Sequence, residues 1–92
     1  MTKLDAAVVP RLPRGVKFRE DKVRGGYILL GPERIFNADE VARHILSRVD
    51  GATSLGAIVE DLATVFAADA TVIRPDVEDF LIELRDKQMV LL

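Results

Sequence analysis

The run Gly26-Tyr27-Ile28-Leu29-Leu30-Gly31-Pro32-Glu33-Arg34-Ile35-Phe36 constrains this chain more than any other stretch. Two apolar segments, 27–30 and 35–36, flank Gly-Pro-Glu-Arg. Proline presets φ near the value needed at the second position of a type I or II turn, so the run predicts a tight hairpin. Its first arm is apolar at every position, as in the middle strand of three. Upstream, Val16-Lys17-Phe18-Arg19-Glu20 alternates apolar and charged, which predicts a half-buried first strand. The polar segment 21–26, closing on Gly25-Gly26, joins those two strands. The third strand, over 34–36, is then very short. A sheet that stops so early raises the question of what meets its last edge.

The remainder reads as helix. Asn37 followed by Glu40 resembles a capping box. Val41, Ile45, Leu46 and Val49 then share a face until Asp50-Gly51 closes the helix. Ser54 caps a second helix carrying Leu55, Ile58, Val59, Leu62 and Phe66 at helical spacing. Pro75 suits the first turn of a third helix, where Asp76, Glu78 and Asp79 favour the positive end of the dipole. Its core face is Val77, Phe80, Leu81 and Leu84. Met89-Val90-Leu91-Leu92 is a last turn or a short extended tail. Residues 1–15 hold Pro10, Pro13 and Gly15 without a sustained period and predict a flexible N-terminal tail, leaving 16–92 as the domain. The fold class is α+β: a three-stranded antiparallel sheet followed by three helices, winged helix-turn-helix-like.

Ninety-two residues suffice for one core. With no cysteine, thiolate metal sites and thiol chemistry within the chain are excluded. No apolar run approaches the roughly 18 residues of a membrane span, and the first fifteen residues lack a secretory apolar core, so a cytoplasmic location is expected. Charge divides unevenly. Residues 1–34 carry eight Lys/Arg against four Asp/Glu, and residues 35–92 carry five against eleven. That imbalance is either two ordinary solvated surfaces or a basic sheet side able to meet acidic peptide or protein.

Catalytic constellations do not emerge. His44 is the only histidine and lies within the first helix without a partner in sequence. Gly25-Gly26 has neither the spacing nor the lysine of a phosphate-binding loop. The expectation is a protein that is not an enzyme and that holds no metal or cofactor. A DNA-binding winged-helix regulator is the alternative, but residues 75–88 contain five Asp/Glu and two Lys/Arg, which phosphates would repel. A small subunit that dimerises through its sheet edge is a third reading. On the third helix Glu78, Ile82, Arg85 and Met89 fall on a second, mixed stripe off the core face. They suggest one wall of a slot whose other wall is the short strand.

The run 26–34, then Asn37, Ala42, Ile45-Leu46, Asp50-Gly51, Ile58, Leu62, Asp76-Val77, Phe80-Leu81 and Leu84, resembles the PqqD family of pyrroloquinoline quinone (PQQ) biosynthesis. The resemblance spans roughly residues 14–90 and rests on the order and spacing of many weak motifs. Gly31 departs from the larger residue found there in many members, and Ala57 from the glutamate that often completes the box with Ser54. The resemblance implies a peptide chaperone, a RiPP recognition element. Such a protein binds the precursor peptide PqqA as an added strand beside the third strand and against the third helix. It presents that peptide to the radical S-adenosylmethionine enzyme PqqE, and in some organisms it is fused behind PqqC. On this basis Arg34, Ile35, Phe36 and Asn37 on the strand, with Glu78, Ile82, Arg85 and Met89 on the helix, are the expected peptide-binding residues. Neither nucleic acid nor membrane is an expected partner.

Overall fold

Alternation in the first third of the chain and helical spacing beyond it both become structure. The computed structural model describes residues 3–92. Lys17–Glu20 (β1), Tyr27–Leu30 (β2) and Ile35–Ala38 (β3) make one antiparallel sheet in the order β1-β2-β3. Three helices follow, Glu40–Leu46 (α1), Leu55–Val65 (α2) and Ala70–Asp86 (α3). Leu29 pairs with Phe18 on one side and Phe36 on the other, and all three face the helices. Behind them Leu46, Leu55, Ile58, Leu81 and Leu84 are buried as one core. The Gly31 N–H donates to the Arg34 carbonyl at 2.8 Å, closing the expected hairpin; Arg34 belongs to the turn, and β3 begins at Ile35.

Three helix boundaries differ from the sequence reading. Asn37 does not cap α1. Tyr27 pairs with Ala38, which draws Asn37 into β3, and the cap falls to Asp39, whose carboxylate accepts from the Ala42 N–H at 2.8 Å. Starting later rotates the helix in register: Ala42 enters the core, whereas Val41 is 52% exposed. At its other end α1 gives way at Ser47 to a looser turn that reaches Gly51. Pro75 does not open α3. That helix starts at Ala70, capped by Asp69, and Pro75 lies inside it. Thr71 loses the partner its carbonyl would have had in the Pro75 N–H, a tolerable loss this close to the helix start. Asp76, Glu78 and Asp79 therefore lie in later turns, beyond the reach of the terminal dipole.

The expected flexible tail, residues 1–15, is packed against the domain from Leu4 to Leu12; its first two residues lie outside the described ones. Leu4, Val8 and Leu12 pack on the core and Pro10 is buried. The carbonyls of Val8 and Ala6 accept from the N–H groups of Leu55 and Gly56 at 2.7 and 2.9 Å, satisfying two orphan donors at the α2 N-terminus. At Gly56 a Cβ would stand 3.3 Å from that of Ala6, so the close crossing favours glycine. Arg11 and Leu91 exchange backbone hydrogen bonds at 3.0 and 2.8 Å, clipping this N-terminal strap to the end of the chain. This aperiodic, proline-containing segment is held by backbone bonds to α2 and Leu91 and by apolar side chains on the core, which need no regular period.

Candidate functional site

The edge of β3 opposite β2 has no strand against it among the described residues. Antiparallel ladders alternate, so each residue directs its N–H and C=O to one neighbour only. Gly31 and Arg34 form a hydrogen-bonded pair, which assigns the next bonded pairs to Leu29 with Phe36 and Tyr27 with Ala38. Ile35 and Asn37 consequently turn both backbone groups outward. The open edge thus offers two donors and two acceptors from alternate residues. Pro32 bounds it at one end and the α1 cap Asp39 at the other.

Beside the Asp39 end lies a cleft of about 390 Å³ walled by Phe36, Val41, Ile45, Phe66, Ile73 and Phe80. Phe36 meets Phe80 edge to face, with centroids 5.8 Å apart. Aromatic rings in that arrangement attract through their quadrupoles, which ties β3 to α3. Asp39 and Asp76 belong to the same lining. At the other end of β3, Pro32, Arg34, Lys87 and Met89 border a smaller hollow of about 190 Å³.

Four of the eight expected site residues, Arg34, Ile35, Phe36 and Asn37, lie on or beside the open edge. Ile35 is 67% exposed, while Phe36 points inward to the cleft. The four residues of the helical stripe do not form one exposed surface. Glu78 is 1% exposed and spends one oxygen, Oε2, on the Lys3 and Leu4 N–H groups at 3.0 and 2.9 Å. Arg74 lies 3.6 Å from that carboxylate and donates to the Leu4 carbonyl at 2.8 Å, so the pair clasps the strap from both sides. Met89 is past the end of α3 and 2% exposed in the core, where a Cβ on Gly31 would touch its Cε at 3.5 Å. Ile82 is half-buried, and Arg85 is exposed beside Asp86. At about 100° per residue, Phe80 projects roughly 160° from both Glu78 and Ile82. Glu78, with Ile82 about 40° from it, therefore lies on the strap side of α3, Met89 borders the hollow beside Arg34, and the side turned to the cleft carries Ile73, Asp76 and Phe80.

The sequence signal for that face was present but misassigned. Asp69-Ala70-Thr71 is a capping sequence, and a helix begun there displays Ile73, Asp76, Val77 and Phe80 at i, i+3, i+4 and i+7. Val41 was assigned to the core and lines the cleft. No cluster of three His, Asp or Glu side chains near enough to share a metal ion occurs among the described residues. His44 stacks edge to face on Phe66 at 5.2 Å.

Three antiparallel strands followed by three helices, with one sheet edge left open beside an apolar cleft, define an α+β domain of winged-helix-like class. Within that class the chain belongs to the PqqD family: residues 26–90 match the family described as coenzyme PQQ synthesis protein D. A "PqqA binding protein" of Rhodopseudomonas palustris (strain BisB5) is 44% identical over 78 residues, covering 85% of this chain and 76% of that protein. The "Bifunctional coenzyme PQQ synthesis protein C/D" of Methylorubrum extorquens is 38% identical over 89 residues; the match takes in 97% of this chain but spans only 24% of that longer relative. Among solved structures, the PqqD truncation of Methylobacterium extorquens PqqCD, described as a functional and stand-alone RiPP recognition element, superposes with a TM-score of 0.81 at 37% identity. It covers 99% of this chain and 97% of its own. PqqD from Xanthomonas campestris gives a TM-score of 0.61 at 34% identity, over 98% and 100%.

Proposed function

We propose that this protein is a peptide chaperone of PQQ biosynthesis, which binds the precursor peptide PqqA by strand addition along β3 and presents it to the radical SAM enzyme PqqE. The observation that carries the reading is the open edge of β3 lying beside the apolar cleft. Relatives named PqqA binding protein support it, and the C/D relative supports association with PqqC. Its site of action is the cytoplasm, where a ribosomal peptide is made, and its role is to hold the peptide rather than transform it.

Magnitudes assign the parts. The four edge groups give at most four ladder bonds, each worth about 0.5–1.5 kcal/mol net. Ordering a peptide segment costs roughly 1–2 kcal/mol per residue, so the ladder sets direction and register without supplying much affinity. Side chains must supply it, at about 25 cal/mol per Å² of apolar area buried. The cleft of Phe36, Val41, Ile73 and Phe80 is the place for such an anchor. A short strand also limits unwanted pairing, since open edges are normally blunted.

Residue-resolved amide exchange with and without PqqA tests the reading. Strand addition slows the N–H groups of Ile35 and Asn37, and leaves Phe36 and Ala38, already bonded to β2, little changed. Protection confined to α1, or to the strap, contradicts strand addition.

A further inference from the structure

The outer face of the sheet departs from what a solvated face should be. An antiparallel sheet packed on one side normally places polar residues on the other. Here Leu29 points inward, so alternation turns Ile28 and Leu30 outward, with Ile35 beside Leu30 in register. Lys17 pairs with Leu30 and Arg19 with Ile28, which sets two exposed cations along the β1 border. Lys22 and Arg24 follow in the β1–β2 loop with Val23, which is 94% exposed.

These cations share a second property. Lys3, Arg48, Arg74, Arg85 and Lys87, on the strap and helices, each pair with a carboxylate. None of Lys17, Arg19, Lys22 or Arg24 does so among the described residues; away from this face Arg11, Arg14, Arg34 and Arg43 are likewise without a carboxylate partner. An apolar centre bordered mainly by uncommitted cations, with Glu20 and Asp21 among them at the β1–β2 loop, is the anatomy of a protein-binding patch. Nucleic acid would use the cations and leave the aliphatic centre unmatched.

We infer that the outer face of the sheet is a docking surface for an acidic, apolar-centred protein partner, and that this partner is the enzyme receiving the carried peptide. The inference rests on the peptide-chaperone reading. A strand added to β3 extends the same sheet, so its alternate side chains emerge beside Ile35 on this face. A partner docked there touches carrier and peptide at once, and its affinity rises when the peptide is loaded. By reciprocity it tightens the peptide by the same factor.

The test uses the full chain with PqqA and PqqE as probes. Lys17→Glu/Arg19→Glu changes only β1, the strand farthest from the peptide edge. PqqA affinity, read by calorimetry, stays within about twofold of the parent, which also reports correct folding. Affinity of the loaded protein for PqqE falls at least tenfold, and Lys22→Glu/Arg24→Glu falls in the same direction. Unchanged PqqE affinity with peptide binding intact overturns the docking surface and leaves the chaperone reading standing. Failure of the parent protein to bind PqqA overturns both. Loss of a self-associated species in sedimentation, with PqqE affinity untouched, would assign the face to a second copy. Tight, sequence-independent binding of a DNA duplex that these substitutions abolish, with PqqE affinity again untouched, would assign it to nucleic acid. Either result overturns the proposal.

Discussion

At the scale of single residues, two side chains on α3 exchange the roles that their sequence positions suggest. Glu78 is a fastener whose carboxylate occupies backbone donors of the strap and faces Arg74. Replacing it by alanine removes the acceptor of those part-buried N–H groups and the anion beside the guanidinium. The expected loss is about 1–3 kcal/mol of unfolding free energy, measured by urea titration. A change below a few tenths would mean that water replaces the carboxylate at no cost. Phe80 faces the cleft while Ile82 faces the strap side. Val41→Asp, at the half-exposed cleft wall, is expected to weaken PqqA binding at least tenfold by calorimetry with little effect on folding. Ile82→Asp is expected to leave PqqA affinity within about twofold. The opposite ranking would return the site to the Glu78–Met89 stripe.

At the scale of elements, caps and turns decide where helices begin, and the competing signals were local. Ser54 was legible because nothing disputes its cap: its hydroxyl accepts from the Ala57 N–H at 3.2 Å. Ser54→Ala should cost about 1 kcal/mol, seen as a lower denaturant midpoint with an unchanged slope. Asn37 was misread because strand pairing with β2 outranks a cap that Asp39 can provide two residues later. Pro75 was misread because proline prefers a first turn, yet a first turn is already formed at Ala70 under the Asp69 cap. Each error moved a boundary by a few residues and left the number and order of elements intact. For the candidate site a few residues matter greatly. Shifting the α3 start hid the Ile73, Asp76 and Phe80 face from a reading that began the helix at Pro75.

At the scale of the whole molecule, the strap joins the chain's two ends to the helices, so stability depends on contacts far apart in sequence. Charge adds a pH dependence of definite sign. Asp50, held by the N–H groups of Ala52 and Thr53 and by the Thr53 hydroxyl, titrates below its ordinary 3.8. So does Asp69, held by the Thr71 hydroxyl and N–H. A carboxyl with a lowered folded pKa stabilises above its unfolded value and loses that contribution as pH falls through the folded one. Lys3 is raised above 10.5 by Asp79, so its contribution is complete below that value and is lost as pH climbs through the folded pKa. The urea midpoint is therefore expected to fall on acidification below about pH 4, beginning near the unfolded carboxylate value. A midpoint that rises there would contradict these assignments.

The sequence by itself determined the strands, the three helices, their order, the hairpin and the family. The elements follow from periodicity and turn chemistry acting within a few residues of each other, and the family from a resemblance that runs along most of the chain. It also marked the short third strand as the place where the sheet stops. Only the tertiary structure decided that residues 3–12 are strapped down, that Glu78 is their clasp, and that α3 turns Phe80 rather than Ile82 toward β3. Those outcomes depend on which surfaces meet across more than seventy residues of chain, as in the bonds from Lys3 and Leu4 to Glu78. A helix fixes the angles between its side chains, but only the elements packed around it fix which side looks outward.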